Sequence, residues 1–384
     1  MRRNRRCLTP ARRGFNLAPT KGPASHRIIF CGRWRRAKRG QLDTAVLSIA
    51  RKEKAAASFA AAIVHLRALC EADLAAVNEA IVASMRSQND MIADIAGHLV
   101  NAGGKRLRPL LTLSAARLCG YGGDDHVLLA SAVELIHGAT LLHDDVVDAS
   151  ALRRGASTAN IIWGNKESVL VGDFLFSRAF QLMVDAGNLK VLEILSRAAG
   201  VISEGEVLQL STQKNLEATF EMYLAVVESK TAALFAAASQ SGAVIAGAEP
   251  EAEEALRSFG RNLGIAYQLV DDALDYSGHD AALGKSVGDD FREGKMTLPV
   301  VYALDRAKGV ERDFWRRTIG EGRQEPEDFE KARDLIISTR ALDDSYACAK
   351  RYAARALDDI AALPDNSYSQ CLRELAASSV ARIS

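Results

Sequence analysis

Apolar positions recur three and four residues apart through most of this chain, with polar positions between them. Residues 54–100 carry that spacing in two stretches and read as two helices. The run VLLASAVELIHGAT, Val127 to Thr140, has no glycine before Gly138 and no proline, and reads as a buried helix. VLVGDFLFSRAFQLM after Gly155 predicts another long helix, and YLAVVESKTAALFAAASQSGAVIAG a further apolar one carrying Lys230 and Thr231. The last 80 or so residues read as helices without a chemical signature, assigned to packing. No proline occurs from Leu110 to Glu249, and no regular series of alternating strands is present. The pattern therefore predicts an all-α chain of long uninterrupted helices.

Two of the apolar helices end in the same acidic pattern. LLHDDVVDASALRRG, Leu141 to Gly155, places Asp144, Asp145 and Asp148 at a helix end, followed by Arg153 and Arg154. Residues four apart share a helix face, so Asp144 and Asp148 point the same way. Like charges there repel each other, and the helix C-terminus adds negative potential, a cost that a resident cation relieves. YQLVDDALDYSG, Tyr267 to Gly278, repeats the arrangement with Asp271, Asp272 and Asp275, starting 127 residues later. A single DDxxD is often only a solvated acidic helix end. Two copies predict two carboxylate clusters facing one another across a cavity. Hard oxygen ligands of this kind suit Mg2+, held by a few carboxylates plus substrate phosphates.

Cationic positions complete the pattern. In NAGGKRLRPLLTL, Gly103 and Gly104 break a helix and Pro109 suits the first turn of the next. Lys105 and Arg108 lie three apart at that junction, a ready anion site; Arg106 reads as a solvated loop residue. His137 lies two turns before Asp144 and shares its face, either as a satisfied core residue or as a ligand. Gln268 lies on the acidic face of its helix. Glu204 and Glu206 are either supports for the site or merely solvated. GKSVGDDFREGKMTLP, Gly284 to Pro299, carries Lys285, Asp289, Asp290 and Lys295, and reads either as a solvated loop or as a lid bringing positive charge to a phosphate.

Charge and composition narrow the function. The 384 residues have a net charge of +1, but residues 1–42 hold 13 Lys or Arg and no acid. The remainder carries 36 basic and 48 acidic residues, which argues against nucleic acid as the main partner. Residues 1–45 are expected to be a disordered basic extension, and residues 46–384 a single domain. The extension reads as an unstructured tail, a transit-like peptide, a nucleic-acid arm or misassigned upstream sequence; it lacks the apolar core of a secretory signal. Six scattered cysteines without CxxC spacing fit a reducing cytoplasm rather than a zinc or disulfide framework. No membrane span is expected. The chain has neither a Walker loop nor a dinucleotide fingerprint. A polar mouth of metals and cations above an apolar interior fits a prenyl diphosphate.

These motifs resemble those of the trans-polyprenyl diphosphate synthases. The likeness spans roughly residues 75–384, through GGKRLRP, HDDVVD, RRG, KT, YQLVDDALDY and GKSVGDDFREGKMTLP in that order. It implies an all-α isoprenoid-synthase bundle of antiparallel helices around a central cavity, a homodimer, and three Mg2+ ions. Lys105, Arg108, His137 and Arg154 match the family's contacts to isopentenyl diphosphate. Arg153, Lys230, Thr231, Gln268, Lys285 and Lys295 match those to the allylic diphosphate. Asp144, Asp148 and Asp271 match the principal metal ligands, with Asp145, Asp272 and Asp275 in support. Asp275 is counted with the metal set, and Asp145, Asp272 and Lys230 with the catalytic set. In this family an aromatic residue four or five positions before the first motif stops growth early. Ala139 and Thr140 stand there and are small, so the expected product is long, octaprenyl or decaprenyl diphosphate for a quinone side chain. The alternatives are a farnesyl or geranylgeranyl synthase and a non-catalytic subunit of a heteromeric synthase. A terpene cyclase is disfavoured because GGKRLRP and KT together fit a second diphosphate. Peripheral membrane contact is allowed for at product release.

Overall fold

A computed structural model describes residues 58–101, 103–277 and 287–381, all within one compact unit, Ala50–Ser384. Lys285 and the basic N-terminal segment lie outside the described residues. The chain runs through α1 (Ser58–Leu69), α2 (Glu71–Ser84), α3 (Asp90–Asn101), α4 (Leu107–Leu118) and α5 (Asp125–Val147). A two-residue ribbon, β1 (Leu152–Arg153) and β2 (Ala156–Ser157), precedes α6 (Ala159–Ile162), α7 (Asn165–Asp185), α8 (Leu189–Thr212) and α9 (Phe220–Val227). Then follow α10 (Ala233–Ile245), α11 (Pro250–Leu274), α12 (Asp289–Arg292), α13 (Leu298–Arg306) and α14 (Val310–Trp315). The chain closes with α15 (Asp328–Ser338), α16 (Ala341–Asp359) and α17 (Ser367–Ser379).

The all-α reading therefore stands, with that ribbon as the strand content of the described residues. The two helices expected over 54–100 are three. Cys70 turns the chain between α1 and α2, and a polar stretch breaks it before α3, where the Asn89 side chain accepts the Met91 N–H at 3.0 Å.

Helix patterning explains the packing. On α5, Leu129, Val133 and Ile136 are buried at three-to-four spacing; on α11, Leu256, Phe259, Leu263, Ala266 and Val270 are. α5 packs chiefly on α7, and α11 on α16 and α10. Each fully buried leucine or isoleucine contributes about 2 kcal/mol of transfer free energy. α5 is long and apolar enough to cross a membrane by length and composition, and just over half of that stretch, 56%, is buried inside the fold. It is the core helix that presents the first acidic motif.

Candidate active site

Both acidic motifs straddle helix ends, with Asp148 capping α5 and Asp275 capping α11. Asp144, Asp148, Asp271, Asp272 and Asp275 all line one cavity of about 690 Å³, together with residues of α4, α8, α9 and α10. Asp145 does not. It is 2% exposed, turned away from the cavity, and bound bidentately by Arg153, whose Nε donates at 2.9 Å and Nη2 at 2.7 Å. Asp145 thus stands behind the cavity-facing carboxylates, joined to them through Arg153. Asp145 follows Asp144 by about 100° around the helix, which on α5 turns it toward Arg153 rather than the cavity. Its part is to hold Arg153 at the rim.

Lys230 and Thr231 sit not in regular α-helix but in a π-helical turn, Glu228–Ala232, between α9 and α10. Such single wide turns re-aim side chains and recur at functional sites. Gly205 of α8 allows the approach: a Cβ there would lie 2.6 Å from Ser229 Cβ. Lys230 Nζ donates to Glu206 Oε2 at 2.7 Å and stands 3.8 Å from Asp144 Oδ2. Thr231 Oγ1 donates to Gln268 Oε1 at 2.9 Å, and Gln268 Nε2 to Asp272 Oδ1 at 2.7 Å. Tyr223 donates to the other oxygen of Asp272 at 2.6 Å.

The segment after the second motif ties the two halves together. Gly288 and Asp290 donate their backbone N–H groups to the Asp275 carboxylate at 3.0 and 3.1 Å. Lys295 pairs with Glu293 and lies 3.4 Å from Asp148. Asp275 thus anchors the segment while still facing the cavity, and Lys295 bridges to the first motif.

Further cationic side chains line the same cavity. Lys105, Arg106, Arg108, Arg154, Glu134 and His137 all line the cavity. Arg106 is not a solvated loop residue; its guanidinium pairs with Glu134 and its side chain is 13% exposed. Arg108 stacks over Phe235, 4.7 Å from the ring centre. Arg154 has φ +54 and Gly155 φ +79, the paired left-handed conformations of a tight two-residue hairpin turn. That turn sends Arg154 across Gly104, where any Cβ would meet its Nη1 at 2.8 Å. Burial, with Arg108 and Arg154 beside it, holds His137 well below the ordinary histidine range, so it is neutral.

Of the two small residues expected at the floor, Thr140 lines the cavity and Ala139 does not. Ala139 is fully buried in the main core. Adjacent helix positions diverge by about 100°; on α5 the cavity-facing side takes Thr140 and Leu141, and Ala139 turns into the core. Leu141, Ile202, Val226, Val227, Phe235 and Met222 make the apolar walls.

The carboxylates are strained electrostatically. Burial raises Asp144 to about 6, with Glu206 and Asp148 adding repulsion against the relief from Lys230. Burial and the Asp290 charge raise Asp272 and Asp275 to about 7. Among the described residues no three acidic or histidine side chains converge to hold a metal alone. The carboxylate oxygens that line the cavity are hard donors of the kind Mg2+ takes beside waters and substrate phosphates. A folded-state value above the ordinary 3.8 means that the folded chain keeps protons that the unfolded chain has lost. Stability without metal therefore falls as pH rises from about 4 through about 7. Thermal unfolding in chelator is expected at lower temperature near pH 7.5 than near pH 5, with Mg2+ and inorganic diphosphate restoring more at the higher pH. A melting temperature independent of pH and of Mg2+ would contradict this account.

Several site residues lacked a sequence signal strong enough to single them out. Glu206 was open between support and solvent, and it holds Lys230; Glu204 is exposed. Tyr223 lies seven before Lys230, two turns on the same face, a spacing that is informative only once Lys230 is placed. Glu134, three before His137, is found the same way.

A helical bundle in which one cavity is lined by two aspartate-rich helix ends and by several Lys and Arg side chains defines a class of diphosphate-handling transferases. Residues 89–336 match the polyprenyl synthetase family, and the chain belongs to that family and is a prenyltransferase. It is similar to octaprenyl diphosphate synthase of Escherichia coli, 44% identical over 312 residues that span 81% of this chain and 96% of that one. Its fold matches a Caulobacter crescentus polyprenyl synthase complexed with calcium and isoprenyl diphosphate, with TM-score 0.81 and 52% identity over 84% of this chain and 98% of that one. A decaprenyl diphosphate synthase from Rhodobacter capsulatus matches with TM-score 0.81 and 50% identity, covering 84% and 99% of the two chains.

Proposed function

We propose that this prenyltransferase adds isopentenyl diphosphate units in trans to an allylic diphosphate and releases octaprenyl or decaprenyl diphosphate for a quinone side chain. The observation that carries the reading is the one cavity lined by both acidic motifs, by several Lys and Arg side chains and by apolar walls. Asp144, Asp148 and Asp271, with Asp275 beside them, are the residues that would hold Mg2+, as three ions. Bound there, Mg2+ supplies Lewis-acid neutralisation of the allylic diphosphate. Lys230, Lys295 and Arg153 take up charge on the departing group, and Thr231 and Gln268 fix its orientation. Lys105, Arg108, Arg154 and neutral His137 hold the isopentenyl diphosphate.

The reaction then balances simply. The allylic C–O bond breaks and leaves a carbocation; the isopentenyl double bond attacks it and forms the new C–C bond. A proton leaves the adjacent carbon for the released diphosphate. The apolar walls exclude water from the cation.

Intact aspartates in both motifs disfavour a non-catalytic subunit. Exposed Leu152, Ile161, Ile162, Val169 and Leu170, along the ribbon, α6 and the start of α7, support a homodimer. Cys70, Cys119, Cys348 and Cys371 are free thiols, which supports a cytoplasmic setting. Incubation of the full chain with farnesyl diphosphate, labelled isopentenyl diphosphate and Mg2+ is expected to give octaprenyl to decaprenyl products on reversed-phase sizing. Products no longer than geranylgeranyl diphosphate would reject the long-chain assignment.

A further inference from the structure

The helix α1 lies ahead of the segment that matches the family, yet it contacts three residues that line the cavity, Gly104, Lys105 and Tyr267. Ala62, Ile63 and Leu66 seat it in the main core. Phe59, 3% exposed, packs 6.2 Å from the Tyr267 ring of α11. Lys105 Nζ stands 5.1 Å from the Phe59 ring centre and 5.7 Å from that of Tyr267. Eight residues on, Arg67 Nη2 donates to the Gly104 carbonyl at 2.8 Å.

That carbonyl belongs to the part of the chain that most needs holding. Gly103 and Gly104 have φ +77 and +154. Consecutive glycines lose more conformational freedom on ordering than any other pair. In a trans peptide the carbonyl and the following N–H point in opposite directions. Fixing the Gly104 oxygen therefore fixes the direction of the Lys105 N–H as well, and with it the entry to α4. Phe59 holds the Lys105 ammonium from below by cation–ring attraction.

We infer that Arg67 and Phe59 of α1 are positioning residues that hold the Gly103–Arg106 loop, and with it the start of α4, in the shape that receives the isopentenyl diphosphate. Neither lines the cavity; both act through Lys105 and the Gly104 peptide. The inference rests on the assignment of that subsite made above, so the experiment tests the two separately.

Steady-state kinetics on full-length Arg67→Ala, Arg67→Lys, Phe59→Leu and Lys105→Ala separate the outcomes. Arg67→Ala is expected to raise KM for isopentenyl diphosphate about tenfold, with the allylic KM within about twofold and kcat within about threefold. Phe59→Leu keeps an apolar side chain but removes the ring, and is expected to raise the same KM about threefold. Arg67→Lys, which keeps a charged donor, is expected to recover part of the loss. Thermal unfolding of each variant is expected within a few degrees of the parent. An unchanged isopentenyl KM in Arg67→Ala overturns the clamp. So does an equal rise in both KM values with a lowered melting temperature, which marks a merely structural role. If Lys105→Ala leaves the isopentenyl KM unchanged, the subsite assignment itself fails and takes the clamp with it.

Discussion

Asp144→Asn is expected to lower kcat by about 10³-fold or more while leaving the metal-free protein as stable as the parent or more so at neutral pH. The two halves have one cause. Asp144 is raised to about 6 because burial disfavours its charge and because Glu206 and Asp148 repel it. A folded chain that must hold that carboxylate ionised at pH 7.5 gives up stability to do so. Asparagine has the same shape without the charge, so the cost disappears. Lys230 keeps its 2.7 Å partner Glu206 and stays in place. What is lost is a hard anionic oxygen for Mg2+, and with it the withdrawal of charge from the leaving diphosphate. Thermal unfolding in chelator and with Mg2+ plus diphosphate, together with single-turnover rates, reads both halves. A variant that keeps more than a tenth of parental kcat would remove Asp144 from the metal set. A metal-free variant that melts well below the parent would show that the carboxylate stabilises the fold.

Thr140→Phe is expected to shift the product from long chains to farnesyl or geranylgeranyl diphosphate. Thr140 lines the cavity one helical turn below Asp144, on the same face of α5. One turn rises about 5.4 Å, comparable to one isoprene unit, so a ring at this level closes the space into which the tail grows. Consumption of allylic substrate in the first condensation is expected to persist, since no aspartate or cation moves. The companion Ala139→Phe serves as the contrast. Ala139 is fully buried in the core, and a ring there is overpacked, with about 1–3 kcal/mol lost from stability. Chromatography of products from both variants decides the matter. Unchanged product length in Thr140→Phe would move the floor of the cavity elsewhere, to Ile202 or the α9 wall.

Much of this site is written in local sequence because local geometry suffices to read it. Four-residue spacing puts Asp144 and Asp148 together, and α5 and α11 do end there. Lys230, Thr231, Gln268 and Asp272 were legible one by one as polar residues on apolar helices. The bonds from Thr231 through Gln268 to Asp272 were not, because they join the π-helical turn to α11, 37 residues on. Arg106 was misread for the same reason. A basic residue in a glycine loop reads as solvated until Glu134, 28 residues on, is brought to it. That Asp145 turns from the cavity to Arg153 was not legible either, because the motif repeats a letter without showing which way the helix turns it.

The sequence by itself determined that the chain is helical, that two helices end in paired carboxylates, and that cations follow at fixed points. Periodicity and repulsion between neighbouring charges are properties of a few consecutive residues, so no fold is needed to see them. Only the tertiary structure decided which carboxylates share the cavity and which cations they face. It also decided that Thr140 rather than Ala139 borders that space, and that α1 reaches back to the glycine loop. Those outcomes depend on the rotation of each helix about its axis and on what packs beside it. That rotation is set by the whole core at once, and no stretch of sequence carries it alone.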